Sequence, residues 1–136
     1  MDIQDLLLST RRIALVGASD RPDRASNEVM RFLLDRGYDV TPVNPVLAGK
    51  EIHGRKVVAS LAEAGPLDLV DVFRRSAEAG DVVDEAVSLG ARAVWLQLGV
   101  VNEPAAERAR AQKVEIVMDR CPVIEWRRLG LPPRIG

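Results

Sequence analysis

Ile13-Ala14-Leu15-Val16-Gly17-Ala18-Ser19-Asp20-Arg21-Pro22-Asp23-Arg24-Ala25-Ser26-Asn27 is the stretch on which the reading of this 136-residue chain turns. Four consecutive apolar residues, Ile13 to Val16, stop at Gly17, as a strand buried on both faces does. A loop of small and polar residues follows. Val29, Phe32, Leu33 and Arg36 then recur at helical spacing between Ser26 and Arg36, and Gly37 stands where a C-terminal cap belongs. Strand, turn and helix in that order begin a strand–helix–strand unit with parallel strands.

The same unit recurs along the chain. Val40-Thr41-Pro42-Val43 is a second strand, short or irregular because of its proline. Leu69 to Phe73, Ala93 to Leu98 and Val114 to Met118 are three more. Between them, Ala79, Val82, Val83, Ala86 and Val87 form a one-sided apolar stripe that ends at Gly90, with Ser76 placed to cap its start. Asn102-Glu103-Pro104 has the amide, acid and early proline of a helix start. Ser60-Leu61-Ala62-Glu63 fits a capping box for a short helix, and a leading helix is expected around Ile3 to Leu8, against the sheet edge. Alternating strands and helices predict an α/β domain, residues 1–136, with about five parallel strands and helices on both faces. Right-handed crossovers favour a doubly wound sheet of order 3-2-1-4-5, whose first and fourth strands are neighbours and whose ligand crevice opens at their C-terminal ends.

Composition narrows the function. Nineteen basic against twenty acidic residues give a formal charge of −1, which excludes a broadly basic surface for nucleic acid. No apolar run reaches the ~18–20 residues that span a bilayer. The opening Met1-Asp2-Ile3-Gln4-Asp5 is acidic where an export signal carries cations, so a cytoplasmic protein without membrane association is expected. Cys121 is the single cysteine and His53 the single histidine, which rules out an internal disulfide, a multi-cysteine zinc site and paired-histidine catalysis. His53 reads as a solvent-facing loop residue, Trp95 and Trp126 as core or interface anchors, and Cys121, on residue type, as a buried thiol.

The strand ends carry the chemistry. Gly17 permits a tight turn, Ala18 and Ser19 let a ligand approach the backbone, and the helix start near Ser26 offers free N–H groups to an anion. Arg21 and Arg24 are placed to add charge-assisted contacts to phosphate. Neither G-x-G-x-x-G nor a Walker A sequence is present. After the second strand, Asn44-Pro45 occupies the place where NAD-binding domains carry an acid for the ribose. A carboxylate ~4 Å from a ribose phosphate would be repelled by roughly 4 kcal/mol at an effective dielectric of 20. Asn44 with Lys50 nearby therefore suits a nucleotide phosphorylated on its ribose, coenzyme A or NADP; equally, Asn44-Pro45 suits a plain turn. Arg74, Arg75, Gln97, Gly99 and Cys121 close the other strand ends.

Taken together, the segments 13–19, Pro42-Val43-Asn44-Pro45, Val70-Asp71-Val72-Phe73-Arg74, Leu96-Gln97-Leu98-Gly99-Val100 and Met118-Asp119-Arg120-Cys121-Pro122 resemble the stand-alone bacterial CoA-binding domain proteins. They are also similar to the N-terminal CoA-binding domain of succinyl-CoA synthetase alpha subunits and of ADP-forming acyl-CoA synthetases. The resemblance implies a Rossmann-like fold with coenzyme A as ligand. Gly17, Ala18 and Ser19 would face the pyrophosphate, with Arg24 and Ser26 nearby. Asn44, Pro45 and Lys50 would border the ADP end, Phe73, Arg74, Gln97 and Gly99 the pantetheine arm, and Cys121 the thiol end. The phosphorylated catalytic histidine of the synthetases belongs to a following domain, and His53 does not sit in that motif. The expectation is a non-catalytic module that binds coenzyme A or an acyl-CoA as carrier, sensor or store, with no catalytic residue and no metal. The alternatives are an NADP-dependent oxidoreductase, or a non-catalytic subunit of an acyl-CoA ligase or transferase. A homodimer, to which the tail from Trp126 to Ile135 would contribute, and an unidentified protein partner both stay open.

Overall fold

A computed structural model describes residues 2–135. In chain order the elements are α1 (Ile3–Ser9), β1 (Arg12–Val16), α2 (Ala25–Asp35), β2 (Asp39–Val43), β3 (Glu51–Ile52), β4 (Arg55–Lys56), a 3-10 turn (Leu61–Ala64), β5 (Leu69–Val72), α3 (Ser76–Ser88), β6 (Ala93–Leu96), α4 (Glu103–Ala111), β7 (Glu115–Val117) and α5 (Pro122–Arg128). The main sheet is parallel throughout, in the order β2-β1-β5-β6-β7, and β3 pairs with β4 as a separate hairpin.

Period-two alternation along the strands splits the interior into two layers. Ile13, Leu15, Val40, Leu69, Ala93 and Trp95 face one way, into the layer holding Leu6, Leu7, Val29, Met30, Leu33, Tyr38 and Trp126 from α1, α2, the turn after α2 and α5. Ala14, Val16, Val43, Val70, Val72, Val94 and Leu96 face the other, against Leu61 and the small residues Ala79, Val83, Ala86, Ala105 and Ala109 of α3 and α4. Alanine at those positions brings α3 and α4 close together, so close that a Cβ on Gly80 would lie 2.9 Å from Asn102 Nδ2. Few aromatics are needed because this half of the core is built by close backbone approach, and the aromatics present sit in the other half. Trp95 is fully buried and donates its Nε1–H to the Arg120 carbonyl at 2.8 Å. Phe32 and Tyr38 each meet Trp126 edge-on at 6.1 Å between centroids. The Tyr38 hydroxyl donates to the Leu7 carbonyl, and burial pushes its pKa up.

The expected doubly wound sheet is present, with one shift in which run fills which place. Val58 forms a single parallel bridge to Val43 outside β2, donating its N–H to Pro42 and accepting from Asn44. With that bridge taken as the third strand, the order runs 3-2-1-4-5 and continues to β7. The neighbour of β1 is therefore β5, Leu69–Val72, and not the run Ala93–Leu98 expected there. The reason is length: a one-residue bridge has no periodicity by which the sequence shows it as a strand.

Helix starts also differ in two respects. The first is that Ser60 makes no side-chain cap at the start of the 3-10 turn, and Glu63 accepts from Ala59 N–H instead of closing a capping box. Asn102 caps α4 as expected, accepting from Ala105 N–H. Ser76 does not cap α3, whose N-cap is Arg75; its hydroxyl instead accepts from Val101 N–H at 3.0 Å and ties α3 to the loop after β6.

Candidate functional site

The first strand delivers its chain into the crevice through Gly17, at φ +86. The N–H groups of Gly17 and Ala18 both donate to the Val43 carbonyl, so the turn is held against the end of β2. No side chain fits at Gly17: a Cβ there would lie 2.2 Å from the Phe73 carbonyl oxygen. The loop then runs to α2. Ser19 Oγ accepts from Arg21 N–H, and Asn27 Nδ2 donates to the Ser19 carbonyl at 2.9 Å. At the start of α2 the N–H groups of Ala25 and Ser26 have no acceptor among the described residues, as the geometry of a helix start requires.

These elements open onto a cleft of about 770 Å³ above the C-terminal ends of β1, β5 and β6. Its walls include Gly17, Ala18, Ser19, Arg24, Ser26, Asn44, Phe73, Arg74, Gln97, Gly99 and Cys121, eleven of the thirteen residues expected from the sequence. Arg21 and Arg75 join Arg24 and Arg74, and among the described residues no Asp or Glu lines the cleft. Arg21 is bridged to Asp23 and Arg75 to Glu78, while Arg24 and Arg74 make no salt bridge among the described residues. Two helix N-termini, of α2 and α3, converge on the same space, and their dipoles add to the positive field. Guanidinium groups and helix N-termini of this kind favour negative charge.

The two expected residues that fall outside the cleft wall are Pro45 and Lys50. Both are exposed in the turn that leads from β2 to β3, where Lys50 N–H closes onto the Leu47 carbonyl. Asn44 lines the cleft, and its amide also holds the neighbouring chain. Its Nδ2 donates to the Ala18 carbonyl at 2.8 Å and its Oδ1 accepts from Val46 N–H at 2.8 Å. The hydrogen bonds describe the turn reading of Asn44-Pro45, with Asn44 bracing the β1 loop, while the second N–H of Nδ2 is left for the ligand reading.

His53 is exposed, as expected of a loop residue, yet it is not idle. Its Nε2 lies 3.0 Å from Asn27 Oδ1 and 3.2 Å from the Asn27 carbonyl. Because Asn27 Nδ2 is engaged with Ser19, its Oδ1 is an acceptor, and His53 must present Nε2–H to it. The hairpin thus props the loop after β1 through Asn27. Asp119, at φ +58, performs a similar task on the far side, accepting from Gly99 N–H at 2.7 Å.

Asp71 is not among the site residues that the sequence predicts. It is fully buried in the middle of β5, between Leu15 and Trp95 in register, and accepts from Gln97 Nε2 at 2.6 Å. Burial raises its pKa to about 7, against the opposing effect of the Gln97 hydrogen bond. The signal was available: an acid inside the run Leu69-Val70-Asp71-Val72 has no reason to be there on hydrophobicity alone. Among the described residues, no group of three His, Cys, Asp or Glu side chains is placed to hold a metal ion, and no helix is long and apolar enough to cross a membrane.

Residues 11–127 match the family model described as a CoA binding domain. The chain belongs to that family. It is 42% identical over 121 residues to the Bacillus subtilis (strain 168) protein YneT, covering 88% of each chain. Among solved structures, a Thermus thermophilus protein, cell-free ID.343, superimposes with a TM-score of 0.89 at 34% identity, over 95% of this chain and 99% of the other. A dinucleotide-forming acetyl-coenzyme A synthetase from Candidatus Korarchaeum cryptofilum shares the fold at 22% identity and a TM-score of 0.71; 85% of this chain matches 26% of that one. As a CoA binding domain, the chain carries its strand-end loops in the order and spacing that the cleft requires. The half-buried Cys121 stands at the N-cap of α5, at the end of the cleft lined by Gln97, Leu98 and Gly99.

Proposed function

We propose that this protein binds coenzyme A, or an acyl-CoA, in the cleft above β1 and β5 as a non-catalytic binding module. The observation that carries this reading is the meeting of a small-residue turn, two N–H groups without acceptors and two unbridged arginines in one acid-free cleft. A diphosphate fits such a place, since backbone N–H groups at a helix start and guanidinium groups both favour negative charge. The cleft volume lies within the ~300–1,000 Å³ usual for small-molecule sites. In this reading Arg24 and Ser26 would meet the diphosphate, and Phe73, Arg74, Gln97 and Gly99, all in the lining, would follow an extended arm toward Cys121. Lys50 and Pro45 lie outside the cleft wall, and in this reading they would meet only the outermost, ribose-phosphate end of the ligand.

The non-catalytic half of the reading rests on what faces the cleft. Its lining offers amides, hydroxyls, guanidinium groups and one thiol, but no paired acid and base. His53 is turned to Asn27, and Asp71 is capped by Gln97. Isothermal titration with coenzyme A, dephospho-coenzyme A, NADP and NAD tests the proposal. Coenzyme A is expected to bind best. No heat with coenzyme A at millimolar concentration would refute it, and tighter binding of NADP would replace it with the oxidoreductase reading.

A further inference from the structure

Asp71 is an odd residue for its place. It occupies the middle of a central strand, fully buried, with apolar Leu15 and Trp95 beside it in register. One oxygen, Oδ1, accepts from Gln97 Nε2; the other, Oδ2, is buried with no hydrogen-bond partner among the described residues. A buried carboxyl with an orphan oxygen opposes folding, whereas a valine there would simply pack. Folding therefore does not account for the acid, and the one thing it touches through a polar contact is a residue of the cleft wall.

That residue is Gln97, on the same sheet face as Asp71 and Trp95 and only 7% exposed. An amide side chain has two ends of opposite polarity. With Nε2 engaged by Asp71, the other end, Oε1, is left as the acceptor, and it has no protein donor among the described residues. From this geometry we infer that Asp71 is a positioning residue, fixing Gln97 so that the cleft shows an acceptor to an N–H donor of the bound ligand. Resting on the coenzyme A reading, the donor is an amide N–H of the pantetheine arm, because the arm is the part of that ligand that carries amides. The pair would then select for a ligand with an N–H at this point and against one with only acceptors there.

The test separates this inference from the reading beneath it. Coenzyme A and adenosine 3′,5′-bisphosphate, which lacks the arm, are titrated into the wild type, Asp71→Val and Asp71→Asn, and each protein is melted at pH 7. Asp71→Val is expected to weaken coenzyme A binding roughly fivefold, the worth of one neutral hydrogen bond, with bisphosphate affinity unchanged and Tm equal or higher. Asp71→Asn keeps an acceptor toward Gln97 Nε2 and is expected to restore coenzyme A binding to within about twofold of wild type. Should Asp71→Val not fold, Gln97→Leu reads the same arm-specific loss. Unchanged coenzyme A affinity in Asp71→Val, or equal losses for both ligands, or a loss in Asp71→Asn as large as in Asp71→Val, would overturn the role of Asp71. Failure of the wild type to bind coenzyme A would instead overturn the ligand.

Discussion

Gly17→Ala is the substitution whose cost the structure defines most sharply. Two separate penalties apply. The first is conformational: at φ +86 an L-residue is strained, by about 1–2 kcal/mol. The second is steric. The new Cβ would sit 2.2 Å from the Phe73 carbonyl oxygen, and that oxygen is backbone, next to an N–H bonded to the Val16 carbonyl at 2.8 Å. Neither chain can retreat without loosening the pairing of β1 with β5, and overpacking of this kind costs roughly 1–3 kcal/mol. The sum is about 2–5 kcal/mol. Gly90→Ala supplies the control, because Gly90 has nearly the same φ, +83, but nothing within 4 Å of its Cβ position. Urea unfolding followed by circular dichroism, with the m-value checked for constancy, gives both numbers. Gly90→Ala is expected to lose only the first penalty. If Gly17→Ala falls within about 0.5 kcal/mol of Gly90→Ala, the close approach of the β1 turn to the β5 end is wrong, and with it the shape of the cleft floor.

Stability should fall as pH rises from about 4 to about 7. The native Asp71 holds its proton to about pH 7, whereas the unfolded chain releases it near 3.8, so the native state binds more protons across that interval. The three-unit gap corresponds to an order of magnitude of about 4 kcal/mol, and Asp71→Asn should flatten that part of the profile; a parallel profile in both proteins would refute the assignment. Asn27→Ala should cost about 1–3 kcal/mol, because it strips the partner from the Ser19 carbonyl, while His53→Ala should cost less than about 1 kcal/mol from its exposed position. Both are checked by chemical denaturation, and a larger loss for His53→Ala would reverse the order of support drawn here. Asn44→Asp sets a carboxylate against the Ala18 carbonyl 2.8 Å away, and a destabilisation of about 1–3 kcal/mol at pH 7, relieved below pH 4, is the expected result. The same difference from wild type at both pH values would show that Asn44 does not brace the loop.

The hydrogen bonds explain why the site was legible in outline and not in detail. Gly17, Ala18, Ser19, Gln97 and Gly99 were readable because small or polar residues at the ends of apolar runs have few other uses there. Asn44 was legible as a position but not as a brace, since an amide can face a ligand, its own loop or both, and only the distances to Ala18 and Val46 show the loop contacts. Lys50 looked close by sequence count, yet the turn from Leu47 to Lys50 carries it to the outside. Asp71 was passed over because one acid in an apolar run does not announce its partner, and Gln97 is twenty-six positions away.

By itself, the order of apolar runs and helical stripes determined the layered fold, for periodicity is a local property and each strand's two faces are written in consecutive residues. It also determined that the ends of those runs meet at one rim, because parallel strands all finish on the same side. Only the tertiary structure decided which strand lies beside β1, that the one-residue bridge at Val58 takes the sheet edge, and that His53 reaches the first loop through Asn27. Those facts depend on pairings between distant segments, and a hydrogen bond across twenty or more residues leaves no trace in the spacing of either partner.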